Sequence, residues 1–397
     1  MADKQQYQQC TRCLMDNAIT NEITFNDIGL CSYCTGFEKM RNYTFGRSKD
    51  ILKSELSRHL SKIRKSGKSK PYDCIIGLSG GVDSTYVAYL VKNLGLRALA
   101  VHFDNGWNSE LAVKNIENII KVTGFDLETY VVNWEEFKDL QRAYLKASVI
   151  DIEVLSDHMI VASLYKLSIK YKIKYIVTGT NLATEYVIGR DWVYNKNDLT
   201  NIKNIHKRYG TKPLKTFPQL GFMKLFFYKL FYKLKSVDII NYIDYKKNDV
   251  KKVIIEEFDW RDYGGKHYES IWTKFYQGYI LPRKFGVDKR VAHLSNLILN
   301  NEIGKAEAIN ELKNNPPLSK DEIVQLEEYV IKKLDFSKDE WNKMMSEKPI
   351  PHEYYGTEDD LLIVKLIKGF NKMKLKVIVN VLVPIKRLVA RSRNNYA

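Results

Sequence analysis

Beyond residue 34 this sequence has one cysteine, Cys74, out of five in the whole chain. Disulfide scaffolding of the body of the chain is therefore excluded, and a reducing compartment is expected. No stretch reaches the length of a membrane span, and no N-terminal run has the apolar character of a signal peptide. A cytoplasmic protein is the expectation. Acid is scarce in places too: residues 361–397 hold nine Lys or Arg and no Asp or Glu, which supplies part of the formal charge of +16. Such a surplus admits nucleic acid, an anionic membrane face, an acidic small substrate or an acidic protein partner. Apolar content of 45% is ordinary for a globular protein, and 397 residues give room for a sizeable core.

The remaining cysteines come as two pairs, Cys10-Thr11-Arg12-Cys13 and Cys31-Ser32-Tyr33-Cys34, with 17 residues between them. That is the spacing of a four-cysteine zinc site. With every position taken by a thiolate, no coordination site is left for substrate, so the metal contributes to folding rather than to chemistry. The bland alternative is four unliganded thiols or a redox pair.

The rest of the chain turns on Ser79-Gly80-Gly81-Val82-Asp83-Ser84. The apolar run at 73–78 reads as a buried parallel strand, and residues 85–91 read as the first turns of a helix. Glycines let backbone N–H groups approach an anion, and a helix N-terminus adds favourable partial charge. The serines supply further donors, and Asp83 is placed to hold a magnesium ion bridging phosphates. No Gly-Lys-Ser/Thr follows, which excludes the Walker A loop. The run resembles instead the PP-loop of the ATP pyrophosphatases, which cleave ATP to AMP and pyrophosphate. An ordinary glycine turn is the bland alternative.

Further strands are expected at 97–103, 127–132 and 174–179, with helices near 109–122, 135–147 and 152–171. Such alternation predicts an α/β fold, a doubly wound parallel sheet with ligands at the carboxyl ends of its strands. Three strand ends then share one cleft: residues 79–84, 102–105 and 178–185. Residues 222–235 alternate aromatics with lysines. Lys224 and Lys229 lie roughly 140° apart on a helix, so no clean charged face results. Docking on a partner or membrane is one reading of this stretch, and an insertion packed on the main domain is the expected one. Residues 260–270 and 281–295 gather glycines with Lys, His, Arg, Tyr and Glu, as a polyanion site requires, although each residue alone is more often a solvated surface group. Residues 301–347 read as capped surface helices, with Ser319 ahead of Asp321 and Glu322.

Taken together, the cysteine pairs, residues 79–84, residues 260–270 and Lys284-Phe285-Gly286-Val287-Asp288-Lys289-Arg290 resemble the N-acetyl sugar amidotransferases of bacterial O-antigen and surface-glycan biosynthesis. The resemblance covers most of residues 8–310. It implies a PP-loop, adenine nucleotide alpha hydrolase-like fold that uses ATP, Mg2+ and Zn2+. It implies conversion of the acetamido group of a nucleotide-activated sugar to an acetamidino group through an adenylylated intermediate. Ammonia is implied to come from a partner glutaminase through a cyclase-like channelling subunit, a pair similar to those of imidazole glycerol phosphate synthase.

Carried onto this sequence, Ser79, Gly80, Gly81, Val82, Asp83 and Ser84 bind the phosphates. The main chain of His102 and Phe103 reads the adenine, and Gly179 and Thr180 line the nucleotide. Glu185, in a segment similar to one of NAD synthetase, joins Asp83 in holding magnesium. Cys10, Cys13, Cys31 and Cys34 hold zinc. Residue type and place assign Lys266 and His267 to the α-phosphate or to proton transfer, and Tyr263, Arg283, Lys284, Lys289 and Arg290 to the sugar nucleotide.

The expected division is a zinc module at 1–46, a PP-loop ATP-binding domain at 47–200, an insertion of unclear role at 201–250, a mostly helical substrate-binding region at 251–360, and a basic tail at 361–397 that offers peripheral membrane contact. The main rival is a tRNA-modifying PP-loop enzyme, for thiolation or lysidine-type synthesis. Against thiolation, Cys74 lies inside the expected strand and reads as a small buried apolar residue. The resemblance implies no nucleic-acid partner. A degenerate, non-catalytic nucleotide module is the second rival, and the complete Ser-Gly-Gly-Val-Asp-Ser argues against it.

Overall fold

The computed structural model describes residues 6–365 apart from His267 and Ile363. His267 and the basic tail beyond Lys365, both singled out above, lie outside the described residues.

Two helices, α1 (Ser32–Tyr43) and α2 (Lys49–Gly67), lead into the sheet. There β1 (Cys74–Gly77), α3 (Val82–Asn93), β2 (Ala98–Asp104), α4 (Glu110–Thr123) and β3 (Asp126–Val131) alternate, as the hydrophobic pattern requires. After α5 (Trp134–Lys146) and α6 (Val154–Lys170), the chain returns to the sheet as β4 (Tyr175–Thr178). The short α7 (Leu182–Glu185), then α8 (Leu199–Tyr209) and α9 (Phe222–Phe227), precede β5 (Lys235–Asp238). The strands are all parallel, in the order β3-β2-β1-β4-β5.

Side chains alternate across β1, and both of its faces are covered. Cys74 and Ile76 pack with Val87 and Val91 of α3 and Ile119 of α4, while Ile75 packs with Leu167 of α6. Sequence order reverses direction between β1 and β4, so the crevice outside their carboxyl ends is the switch point where such sheets bind ligands. The sequence places residues 79–84 and 179–185 there.

The segment 201–250, expected as an insertion, contributes the fifth strand. Lys235-Ser236-Val237-Asp238 is a four-residue edge strand with only Val237 buried, too short and polar to carry a strand pattern. The stretch at 222–232 packs on the domain through one side only. Neither α9 nor the π-helical turn Tyr228–Tyr232 has a buried residue.

Beyond the sheet come α10 (Lys247–Phe258), α11 (Ile271–Phe275), α12 (Lys289–Leu299), α13 (Lys305–Asn314), α14 (Lys320–Lys333) and α15 (Lys338–Ser346). Ser319 and Glu322 close a reciprocal cap on α14, as their spacing predicts, and Ser337 and Glu340 do the same on α15. Trp272, Phe275, Tyr276 and Trp341 form the core of this helical part and share it with α5 and α6. The helical region therefore forms a wall of the crevice.

Candidate active site

As the chain leaves β1, Gly80 adopts φ +79, and a Cβ there would come within 2.7 Å of the Ala112 carbonyl. Only glycine fits that turn. The Gly80 carbonyl accepts the indole N–H of Trp260 at 2.8 Å. Inside the loop, the Gly81 amide donates to Ser79 Oγ at 3.2 Å and the Ser79 amide to Ser84 Oγ at 3.2 Å. The hydroxyls hold the loop in shape, and the N-terminus of α3 opens on the crevice.

A lobe of about 230 Å3 lies over this loop. Asp83, in the first turn of α3, accepts a hydrogen bond from the Tyr245 hydroxyl at Oδ1. Burial, then the Asp83 charge, push the Tyr245 hydroxyl well above its ordinary pKa, so it remains a donor. Across the lobe, Lys266 Nζ contacts the Thr184 carbonyl at 3.2 Å and Glu185 Oε1 at 3.5 Å. Glu185 Oε2 also accepts the Asn181 amide at 3.3 Å. Lys251 is paired with Asp262 at 2.6 Å. Lys247 has no ion pair for its ammonium among the described residues. Burial, with the neighbouring Lys266 and Lys251, lowers its pKa to about 8.

An unpaired cation facing an anion-binding loop predicts a pH profile. Lys247 loses its charge as pH rises through about 8, so kcat/KM for ATP falls above that pH. In Lys247→Arg the fall disappears, and in Lys247→Met kcat/KM is low, by about tenfold or more, at every pH. Initial-rate kinetics between pH 6 and 10 check this, and a wild-type profile that Lys247→Arg leaves unchanged contradicts it.

The same crevice continues into a second lobe of about 690 Å3. Leu78, His102 and Phe103 line its near wall. The His102 ring is fixed at both nitrogens, Nδ1 lying 3.0 Å from the Leu78 carbonyl and Nε2 3.1 Å from Asn108 Nδ2. Phe103 stacks on Tyr130 at 6.0 Å. The far wall is polar and charge-paired. There Lys289 meets Glu153 at 2.9 Å and Lys196 meets Asp157 at 3.1 Å, while Gln277 Nε2 donates to Glu153 Oε2 at 3.0 Å. Burial pushes the Asp157 carboxyl up.

The structure thus gathers Ser79, Gly81, Val82, Asp83, Ser84, Gly179, Thr180, Glu185, Tyr263 and Lys266 around the smaller lobe, and His102, Phe103 and Lys289 around the larger. Three expected substrate contacts are elsewhere. Lys284 Nζ bonds the Met344 carbonyl and, at 3.0 Å, that of Glu347, which closes the end of α15. Arg290 is turned onto Asp288 at 2.6 Å and the Asn315 carbonyl. Arg283, assigned with them, lies against the Tyr279 hydroxyl. In each case a nearer acceptor satisfies the cation.

Glu269 and His293, from the runs 260–270 and 281–295, also line the smaller lobe, as do Tyr245 and Lys247, which were not singled out from the sequence. Tyr245 and Lys247 follow β5, so recognising that strand would have marked them. The position of Lys266 and Glu269 has a local cause: residues 260–271 strap across the loop and α4. Arg261 and Asn115 exchange hydrogen bonds at 2.9 Å, and the amides of Ser109 and Ile271 reach the Glu269 and Trp107 carbonyls at 2.9 and 2.8 Å.

A second centre lies at the N-terminus. The Sγ atoms of Cys10, Cys13, Cys31 and Cys34 all fall within 4.8 Å of one another, and two pairs stand 3.6 Å apart. A tetrahedron of 2.3 Å zinc–sulfur bonds has edges of about 3.8 Å, so the four thiols fit the ion. Amides of Arg12 and Cys31 point at Cys10 Sγ from 3.4 and 3.3 Å. The knuckle is tied to both sides of the crevice. Leu14 donates to Ser295 Oγ of α12 at 3.1 Å, and the Ile19 carbonyl accepts Trp192 Nε1 at 2.8 Å.

Comparison with known proteins agrees with this geometry. The NAD synthase family matches residues 55–218, and the family described as "LPS biosynthesis protein WbpG-like, C-terminal domain" matches residues 269–372. The tRNA(Ile)-lysidine synthase of Chlamydia pneumoniae is 37% identical over 67 residues, which are 16% of this chain and 21% of that enzyme. The chain thus spans far less than two thirds of that relative. Among solved structures, an NH3-dependent NAD synthetase from Campylobacter jejuni is 15% identical, covering 77% of this chain and 99% of that one, with a TM-score of 0.30. An NMN synthetase from Francisella tularensis is 14% identical over 73% of this chain and 98% of its own, with a TM-score of 0.32. The two family matches meet at the crevice just described, and together they support an amidotransferase-like PP-loop protein whose C-terminal region is similar to the LPS-biosynthesis family.

Proposed function

We propose that this protein is an ATP-dependent amidotransferase that converts the acetamido group of a nucleotide-activated sugar to an acetamidino group. One observation carries the reading: the glycine loop and its lysines open directly into a larger lobe whose far wall is lined by paired carboxylates and amides. The first lobe suits phosphates, and the second suits a hydroxyl-rich sugar, whose donors and acceptors match Glu153, Asp157 and Gln277.

An amide carbonyl is a poor electrophile and its oxygen a poor leaving group. Attack of that oxygen on the α-phosphorus of ATP expels pyrophosphate and leaves AMP on the oxygen. Ammonia then adds to the carbon, a proton is lost, and AMP departs with the former carbonyl oxygen. Residues 79–84 and Lys247 bind the phosphates and stabilise the charge that develops on the leaving pyrophosphate. Lys266 reaches the junction of the lobes, where the α-phosphate and the carbonyl meet. Asp83 and Glu185 offer the oxygen ligands magnesium takes, and the bound ion supplies charge neutralisation between the phosphates. The cysteine cluster takes zinc in a structural role. Ammonia comes from a glutaminase partner and a channelling subunit, since this chain shows no nucleophilic cysteine: burial in β1 pushes the Cys74 thiol up to about 12.

Mass spectrometry of candidate nucleotide sugars, incubated with ATP, magnesium and an ammonium salt, tests the reading. A loss of about 1 Da from the sugar, with AMP and pyrophosphate formed, is expected. Release of ADP alone contradicts it.

A second reading, lysidine-type tRNA modification, draws on the 67-residue match and the basic charge. It predicts salt-dependent tRNA binding, with affinity falling steeply between low and moderate salt. The sugar reading predicts no such binding.

A further inference from the structure

Residues 199–237 hold nine Lys or Arg and no Asp or Glu. At their centre, α9 and the π-helical turn Tyr228–Tyr232 form a continuous helical ridge with no buried residue. On a helix advancing about 100° per residue, Met223, Phe226, Phe227, Leu230 and Phe231 share one stripe. All five are exposed, from 43% for Phe226 to 64% for Phe231, and Tyr232, between the two lysines, is exposed as well. Lys224 and Lys229 do not share a face because they border this stripe on opposite sides.

The inward side of the ridge is held. Tyr228 stacks on Tyr165 of α6 at 6.3 Å, the Phe222 amide bonds Glu358 at 3.0 Å, and Leu234 is buried. The outward rings touch one another, Phe227 and Phe231 at 4.4 Å, and otherwise only the ridge's own Phe222, Tyr228 and Tyr232. None of the five lines the crevice. The ridge runs into the amino end of β5, the opposite end of that strand from the crevice.

We propose that this ridge is a docking surface for an anionic lipid bilayer, on which the protein lies without crossing it. The charge argues for this occupant. Large exposed aromatics flanked on both sides by lysines, in a segment without a single acid, match a surface of negative headgroups over an apolar interior. Lysine stems reach up past the buried rings to the headgroups. No helix among the described residues is long and apolar enough to span the bilayer. The inference is independent of the reaction proposed above.

Flotation of the full chain with vesicles tests it. Binding is expected to vesicles of phosphatidylcholine mixed with phosphatidylglycerol, to fall with added salt, and to be far weaker with phosphatidylcholine alone. Phe227→Asp/Phe231→Asp is expected to lose at least about tenfold of the binding. Lys224→Gln/Lys229→Gln, which leaves the rings in place, is expected to lose the preference for the anionic vesicles. Thermal melts of both variants are expected to match wild type, because none of the substituted side chains is buried and Lys224 holds only an exposed bond to the Gln219 carbonyl and a distant contact with the Tyr228 ring. Three results overturn the proposal: wild type that stays with the soluble fraction, variants that float as wild type does because another segment binds, or self-association through the ridge in sedimentation velocity in place of vesicle binding.

Discussion

Asp83→Asn is expected to lower ATP-dependent pyrophosphate release by about a hundredfold to a thousandfold, with the melting temperature unchanged. Asn preserves the shape of the side chain and an oxygen that can still accept the Tyr245 hydroxyl bond, so the contact that holds the first turn of α3 to the β5 end survives. What disappears is the negative charge. If Asp83 serves the phosphates through a cation, that charge is the working part, and Glu185, which holds the same cation and also meets Lys266, cannot supply it alone. If Asp83 is only a structural anchor for Tyr245, Asn is nearly silent, and Tyr245→Phe has the larger effect. Pyrophosphate release and thermal melts on the two variants separate these cases.

The second large effect is expected from the cysteine cluster. Metal analysis should find one zinc per chain. Prolonged chelation, or Cys31→Ser, should lower the melting temperature markedly and abolish activity together with it. Four thiols held 3.6 Å apart in pairs, and all buried, have no other means of satisfying that geometry. Activity follows because the knuckle is not an appendage. Its Leu14 and Ile19 backbone groups are bonded to Ser295 and Trp192, on α12 and on the segment that leaves Glu185, and both border the crevice. Loss of the ion frees the two walls from each other. A chain that binds no zinc, or that melts identically after chelation, contradicts the assignment.

The sheet was legible in the sequence wherever the strands are buried on both faces. Residues 74–78, 98–103 and 175–178 are nearly continuous apolar runs broken by glycine or polar turns, and they were placed within a residue or two. β5 was not legible, since Lys-Ser-Val-Asp carries no hydrophobic pattern, whereas the other edge strand, β3, has Leu127, Tyr130 and Val131 to mark it. Missing that strand also hid Tyr245 and Lys247, which approach the glycine loop only because β5 pairs with β4. The loop itself was readable because two adjacent glycines after a strand have few other uses. Arg290 shows the opposite failure. Its residue type and its place in a Gly-Val-Asp-Lys-Arg run suggested an anion, but Asp288, two residues earlier, caps the same helix and takes the guanidinium. Lys289, one residue away, points instead toward Glu153 and the larger lobe, so a neighbouring pair that looks equivalent in sequence is divided by the helical turn.

The central claim is that the acetamido oxygen leaves the sugar on AMP. The direct measurement starts from a nucleotide sugar whose acetamido carbonyl carries oxygen-18, incubated with ATP, magnesium and an ammonium salt. The account predicts AMP heavier by about 2 Da and an acetamidino sugar without the label. Label found in water or in pyrophosphate, or product formed while AMP stays unlabelled, contradicts it.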